Sequence, residues 1–141
     1  FRKMVGLKYG AEMWEKPGNK PSVAVLVEGV VDALMVWQAT RDFRDPYGFP
    51  VLPLALLGST ASREQADKLV QLSGDRRIIV FLDNDEAGRK GDGEVHALVG
   101  NRVRYHRAAY PEDAGGADPG SLPADQIRAA IANAKVILKG V

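Results

Sequence analysis

Residues 78–91 read IIVFLDNDEAGRKG, an apolar run that ends in two aspartates, Asp83 and Asp85, two positions apart. In extended backbone, side chains two positions apart point to the same side, so both carboxylates face one way and Asn84 the other. Two such groups can share one cation or bridge two. Gly88, three residues on, lets the backbone come close to a ligand where a helix begins, and the free amides and dipole of a helix start favour anions. Arg89 and Lys90 add mobile positive charge beside it, which suits nucleotide or nucleic-acid phosphate.

Other carboxylates stand at comparable points of the chain. Glu28 ends the apolar run SVAVLVE (22–28), and Asp113 and Asp118 lie in the loop after RVRYHRA (102–108). If these runs are strands of an open parallel sheet, ligands bind outside their carboxyl ends, and Glu28, Asp83, Asp85, Asp113 and Asp118 converge on one rim. Clustered carboxylates repel and raise one another's pKa, so the arrangement is costly unless a cation sits among them. Oxygen donors with no His or Cys nearby favour a hard ion, Mg²⁺ or Mn²⁺. Magnesium keeps several waters and takes few carboxylates plus substrate phosphate, so such a site awaits a nucleotide. Singly, each of these aspartates reads equally well as a helix or turn cap; the joint pattern carries the weight.

The elements that must hold these groups follow from the patterning. SVAVLVE is too short and too β-branched for a helix and reads as a strand buried on both faces. A helix is expected over 30–41, then a Pro- and Gly-containing loop, then VLPLALL (51–57), which Pro53 assigns to a sheet edge. Ser62 and Gln65 form a capping box for a helix to about Leu72. RIIVFLD (77–83) reads as a central strand, and a helix over 86–99 ends at Gly100 as a C-cap glycine. RVRYHRA alternates basic with apolar residues, as a half-exposed strand does. A long loop over 110–123 leads to a last helix over 123–138 that opens on proline. Alternating strands and helices predict an α/β fold with a central parallel four-stranded sheet flanked by helices.

Composition places the chain in the ordinary globular range, with 45% hydrophobic and 26% charged residues over 141 positions, enough for one core without staples. Cysteine is absent, which excludes a disulfide framework or thiolate zinc site and is compatible with the cytoplasm. No run approaches the ~20 apolar residues of a membrane span, so no membrane partner is expected. A net charge of +1 is not the strongly basic balance of many nucleic-acid binders, so any such contact must be local. Arg102, Arg104 and Arg107 form only a modest basic strip, read first as a solvated edge. His96, His106, Trp14, Trp37 and Phe43 read first as structural residues, and Lys16 and Lys20 as the solvated flanks of a turn. The opening FRKMVGLKYG has neither an initiator Met nor a signal peptide, and a piece of a longer protein is expected.

Taken in order, VEGVVDAL (27–34), LLGSTAS (56–62) and FLDNDEAG (81–88) resemble the Toprim domain of bacterial and phage DnaG-type primases. The matching positions are Glu28, Gly29 and Asp32 in the first motif, Gly58, Ser59 and Thr60 in the second, and Asp83, Asp85 and Gly88 in the third. A late Asp118-Pro119 completes the set, and FRKMVGLKYGAEM resembles the segment leading into that domain, so residues 1–21 are expected to be a lead-in and 22–141 the Toprim domain. The resemblance implies a Rossmann-like core and metal-dependent nucleotidyl transfer, making RNA primers on single-stranded DNA from nucleoside triphosphates. Glu28, Asp83 and Asp85 would be catalytic, Glu28, Asp32, Asp83, Asp85 and Asp118 would hold Mg²⁺ or Mn²⁺, and Arg89, Lys90, Gly58 and Gly88 would meet nucleotide or nucleic acid. A replicative helicase is an implied partner, through regions outside this chain. Where such primases carry a second acidic residue after Asp-Pro, this chain has Gly120 and Ser121, which puts a second metal position in question.

Three other readings compete. Toprim nucleases and topoisomerases share these carboxylates, but no tyrosine nucleophile is tied to them here. A non-catalytic docking module for nucleic acid or protein would not need the intact acidic set. A haloacid-dehalogenase-type phosphatase also uses Asp-x-Asp at a strand end, but Ala87 stands where its Thr or Val belongs.

Overall fold

The computed structural model describes residues 22–58, 61–74 and 76–138. Residues 1–21 therefore lie outside it, as do Ser59 and Thr60. The described chain alternates strands and helices: β1 (Val23–Val27), α1 (Val30–Thr40), β2 (Val51–Ala55), α2 (Arg63–Ser73), β3 (Arg77–Val80), α3 (Glu86–Val99), β4 (Arg104–Arg107), α4 (Ala124–Ala132) and β5 (Lys135–Val136). A short 3₁₀ turn, Pro119–Ser121, precedes α4.

The sheet order is β2-β1-β3-β4-β5. The first four strands are parallel, and β5 joins β4 antiparallel through Val136 and Lys135. A four-stranded sheet was the expectation; the fifth strand arises because α4 stops at Ala132 and Asn133 turns the chain back. Pro53 sits in β2 opposite Val25, on the outer strand, where its missing N–H costs no ladder bond. β1 is buried along its whole length, as a strand covered on both faces must be.

Alternation along β1 divides the interior in two. Ala24 and Leu26 face Leu69, Val95 and Val99 from α2 and α3, while Val23, Val25 and Val27 face Val36, Ile127 and Ile131 from α1 and α4. The sheet is thus the middle layer of three. Ser62 and Gln65 cap α2 reciprocally, with Gln65 N donating to Ser62 Oγ at 3.2 Å and Ser62 N to Gln65 Oε1 at 2.8 Å. Gly100 is not a left-handed cap: its φ is −59°, and glycine is needed because a Cβ would lie 2.6 Å from His96. Trp37 is half exposed, with Arg41 stacked over its ring at 4.7 Å. No described helix is long and apolar enough to cross a membrane.

One buried ion pair fixes the end of the sheet opposite the acidic rim. Arg77, the first residue of β3, pairs with Asp45, whose side chain is fully buried and also accepts the amides of Tyr47 and Phe49 at 3.0 and 2.8 Å. Removing one partner of such a pair leaves an uncompensated buried charge. Asp45→Ala is expected to lower unfolding free energy by about 3–5 kcal/mol, read by urea denaturation; a loss no larger than that of a surface substitution would show the pair to be dispensable.

Candidate metal centre

Sheet order places the candidate site. The chain leaves β1 towards β2 on one side and β3 towards β4 on the other, so the crevice between the carboxyl ends of β1 and β3 is the topological switch point. Glu28 follows β1 and Asp83 follows β3 by three residues. They meet there: Asp83 N donates to Glu28 Oε2 at 2.9 Å. The end of β2 is tied to the same place, since Leu57 N and Gly58 N donate to Glu28 O at 2.7 and 3.3 Å. Leu57 takes a left-handed φ of 60° in that turn.

Asp32 and Asp118 complete the acidic group. Asp32 lies in the first turn of α1, buried, and accepts the Gly120 amide at 3.0 Å. Asp118 caps the 3₁₀ turn through Ser121 N at 2.7 Å. These two carboxylates line one shallow depression between Gly29 and Gly120. Gly120 has a structural reason to be small, because a Cβ would come 2.8 Å from Asp32 Oδ1. Where an acidic residue was looked for after Asp118-Pro119, the chain supplies a backbone amide to Asp32 instead.

The electrostatics follow from crowding. Burial, the hydrogen bond to Glu28 and the charges of Glu28, Asp32 and Asp118 push Asp83 up to about 8. Asp32 is raised mainly by burial, against the lowering effect of the Gly120 amide. Tyr110 is raised too, by burial first and then by the same four carboxylates; its hydroxyl donates to Leu82 O at 2.8 Å. Asp83 Oδ1 is buried and has no hydrogen-bond partner among the described residues. A buried carboxylate oxygen without a donor, surrounded by negative charge, fits a hard cation. Among the described residues no three Asp, Glu or His side chains close on one cation position.

Asp85 does something different from Asp83. It is the N-cap of α3, accepting Gly88 N at 2.7 Å, and it is absent from the charges that raise Asp83. One of its oxygens is thereby committed to the helix. Gly88 makes its close approach to protein rather than open space: a Cβ there would fall 1.8 Å from Asp83 O. Arg89 lines a cleft of about 350 Å³ with Asp83, Asn84, Arg107 and Tyr110. Lys90 is exposed on the second turn of α3 outside that cleft, and a Cβ on Gly58 would meet nothing within 4 Å. Asp113 is exposed and is not among the charges acting on Asp83.

Several residues that build the site were not singled out in the sequence. Asn84 stitches the long loop to the strand end: its amide donates to Ala117 O at 2.7 Å, its side chain to Ala114 O at 2.8 Å, and its carbonyl accepts Gly116 N at 2.8 Å. That loop carries Asp118, so Asn84 places one carboxylate relative to another. Asp92 binds both Tyr105 Oη and Arg107 Nε, setting the guanidinium at the cleft wall. A signal for Asp92 was present, since positions 88, 92, 95 and 99 form the buried stripe of α3 and only this one is charged.

The family description Toprim-like matches residues 25–121, which contain every one of these carboxylates. The chain belongs to the Toprim-like family. Among solved structures, this Toprim-like chain is similar to one in the assembly of bacteriophage T7 lagging-strand DNA polymerase interacting with primase domains of two gp4 subunits bound to an RNA/DNA hybrid and dTTP. That match has a TM-score of 0.58 and 24% identity, over 82% of this chain and 56% of the other. The primase fragment of the bacteriophage T7 primase-helicase protein matches at TM-score 0.48 and 27% identity, over 70% of this chain and 37% of that one. What the first match establishes is a shared fold, and the Toprim-like chain spans little more than half of its length. No curated protein matches.

Crowding gives a pH dependence whose sign differs from that of a salt-bridged aspartate. Because the folded-state pKa of Asp83 lies above its ordinary value of 3.8, the folded state holds the proton more tightly, and the contribution of Asp83 to stability is greatest at low pH. In EDTA, stability is expected to fall as pH rises from about 4 towards about 8. Asp83→Asn is expected to flatten that fall and to be the more stable protein at pH 8 without metal. Thermal unfolding across this range checks it; an equal decline in the variant would refute the assignment.

Proposed function

We propose that this chain is the metal-dependent catalytic domain of a DNA primase, joining nucleotides into RNA primers on a single-stranded DNA template in the cytoplasm. The observation that carries the proposal is the pairing of Glu28 with Asp83 at the switch point, with Asp32 and Asp118 beside them and a buried, unpartnered Asp83 oxygen. The shared fold with a chain from an assembly of primase domains on an RNA/DNA hybrid supports the choice among Toprim activities. Template strand, nucleoside triphosphates and, through regions outside this chain, a replicative helicase are the proposed partners.

Glu28 and Asp83 would hold Mg²⁺ or Mn²⁺, with Asp32, Asp118 and the uncommitted oxygen of Asp85 as outer contributors through water. A divalent ion there supplies charge neutralisation at the transferred phosphoryl group and a template for aligning it. The chain's own work is positional. Glu28 accepts the Asp83 amide and so fixes the spacing of the two carboxylates. Arg89 at the start of α3 and Arg107, held by Asp92, present guanidinium groups to the cleft beside Asp83, where triphosphate oxygens would lie. Lys90 adds charge at the approach to that cleft. Tyr110, edge-on to Phe81 at 5.1 Å, lines the cleft beside Asp83.

Primer synthesis on single-stranded DNA, assayed with the protein that carries this chain, is expected to fall about 10²–10⁴-fold in Glu28→Gln. Nicking of supercoiled DNA in place of primer synthesis would assign the nuclease reading instead. Nucleic-acid binding with neither activity would leave a docking module.

A further inference from the structure

The helix α1 is apolar on both sides. Ala33, Val36 and Ala39 face the core, while Val31, Leu34, Met35 and Trp37 point outward, Val31 at 69% exposure and Trp37 at 50%. A helix with one covered face normally turns charged residues to the other, and one that is apolar all round is covered all round. The neighbouring helices follow the first pattern: α2 exposes Arg63, Glu64 and Asp67, and α3 exposes Arg89, Lys90 and Glu94. The outward face of α1 carries no charge, and its polar residue is Gln38. Positions 31, 34, 35 and 38 have the spacing of one stripe. Among the described residues eight large apolar side chains are exposed, and half of them are the four on this helix. A contiguous patch of that kind marks a docking surface.

The chain itself supplies a matching occupant. α1 joins the carboxyl end of β1 to the amino end of β2, so it runs back along the sheet and ends at the edge where residues 1–21 lead into β1. A segment of that length reaches up to about 70 Å, and the helix to be covered is only about 16 Å long. The segment carries Met4, Val5, Leu7, Tyr9, Met13 and Trp14, side chains whose burial is favourable. Charge agrees as well. Arg41, stacked on Trp37, pairs with no carboxylate among the described residues, and Glu12 and Glu15 flank Met13 and Trp14. A second copy fits less well, because a face one short helix wide falls well below the ~800 Å² that each partner gives to a stable complex. A tethered segment needs less contact, since its effective concentration is in the millimolar range.

We propose that residues 1–21 fold back over the outward face of α1, their apolar side chains covering Val31, Leu34, Met35 and Trp37. The same helix presents Asp32 from its inward side, in its first turn. The covered face therefore braces the helix that carries one carboxylate of the acidic rim, and couples the chain upstream of β1 to that rim. The proposal goes beyond the primase reading and does not depend on it.

The chain has no cysteine, so Gln38→Cys, at the edge of the stripe, takes a single nitroxide label. Amide signals of residues 4–14 in the ¹⁵N-labelled whole chain are then compared before and after the label is reduced. Those amides are expected to lose most of their intensity to the nitroxide. Leu34→Asp combined with Met35→Asp is expected to restore most of it, with the amide shifts of β1 and β3 reporting that the sheet remains folded. Trp14→Ser, made in the segment and leaving the helix untouched, is expected to act in the same direction. Full intensity in the labelled protein, or quenching undiminished in both variants, would overturn the proposal. Quenching that appears only when ¹⁵N chain without nitroxide is mixed with nitroxide-labelled ¹⁴N chain would overturn it in favour of a second copy. None of these readouts involves metal or primer synthesis, so failure here is distinguishable from failure of the primase reading.

Discussion

Asp83 sits among Glu28, Asp32 and Asp118, partly withdrawn from water, and one of its oxygens has no donor. This crowding of negative charge is the constraint on which the carboxyl end of the sheet is organised. It is tolerated in part through backbone amides: Asp83 N meets Glu28, Gly120 N meets Asp32, and Ser121 N meets Asp118. Each removes one lone pair from the repulsion and none supplies a full positive charge. Of the two guanidinium groups in the adjoining cleft, that of Arg107 is engaged by Asp92. The imbalance that remains is what the proposed divalent cation would correct.

The fold exists to hold that imbalance in register. β1 and β3 are neighbours, fully buried, and bring Glu28 and Asp83 side by side, where the Asp83 amide to Glu28 Oε2 hydrogen bond ties them. The loop of residues 110–118 could wander, and Asn84 prevents it with three hydrogen bonds made from within the Asp-Asn-Asp turn itself. Tight backbone approach does the rest: Gly88 against Asp83 and Gly120 against Asp32 leave no room for a side chain. Such sites sit on rigid elements because small displacements of the ligating groups are costly to chemistry.

Much of this was legible in the sequence, and the reasons are specific. The β-branched run 23–27, the capping box at Ser62 and Gln65, and Pro53 on an edge strand are local signals that tertiary packing did not override. Glu28 and Asp83 could be placed together because a parallel sheet sends its strand ends to one rim. At Asp85 the sequence carries two signals, the two-residue alternation with Asp83 and the cap of α3, and the structure shows the cap formed through one of its oxygens. Asn84 and Tyr110 were opaque because their roles depend on where a distant loop lands, which no local pattern records. The fifth strand was missed because apolar residues past Ala132 continue a helical spacing that Asn133 breaks.

The central claim is that the Glu28–Asp83 crevice is a cation site. Electron paramagnetic resonance of Mn²⁺ titrated with the protein measures bound ion directly, through loss of the free-ion signal. Wild type is predicted to bind Mn²⁺ in competition with Mg²⁺, and Asp83→Asn to lose that binding while remaining folded. Binding left intact in Asp83→Asn, or no binding by wild type at millimolar concentrations, would contradict it.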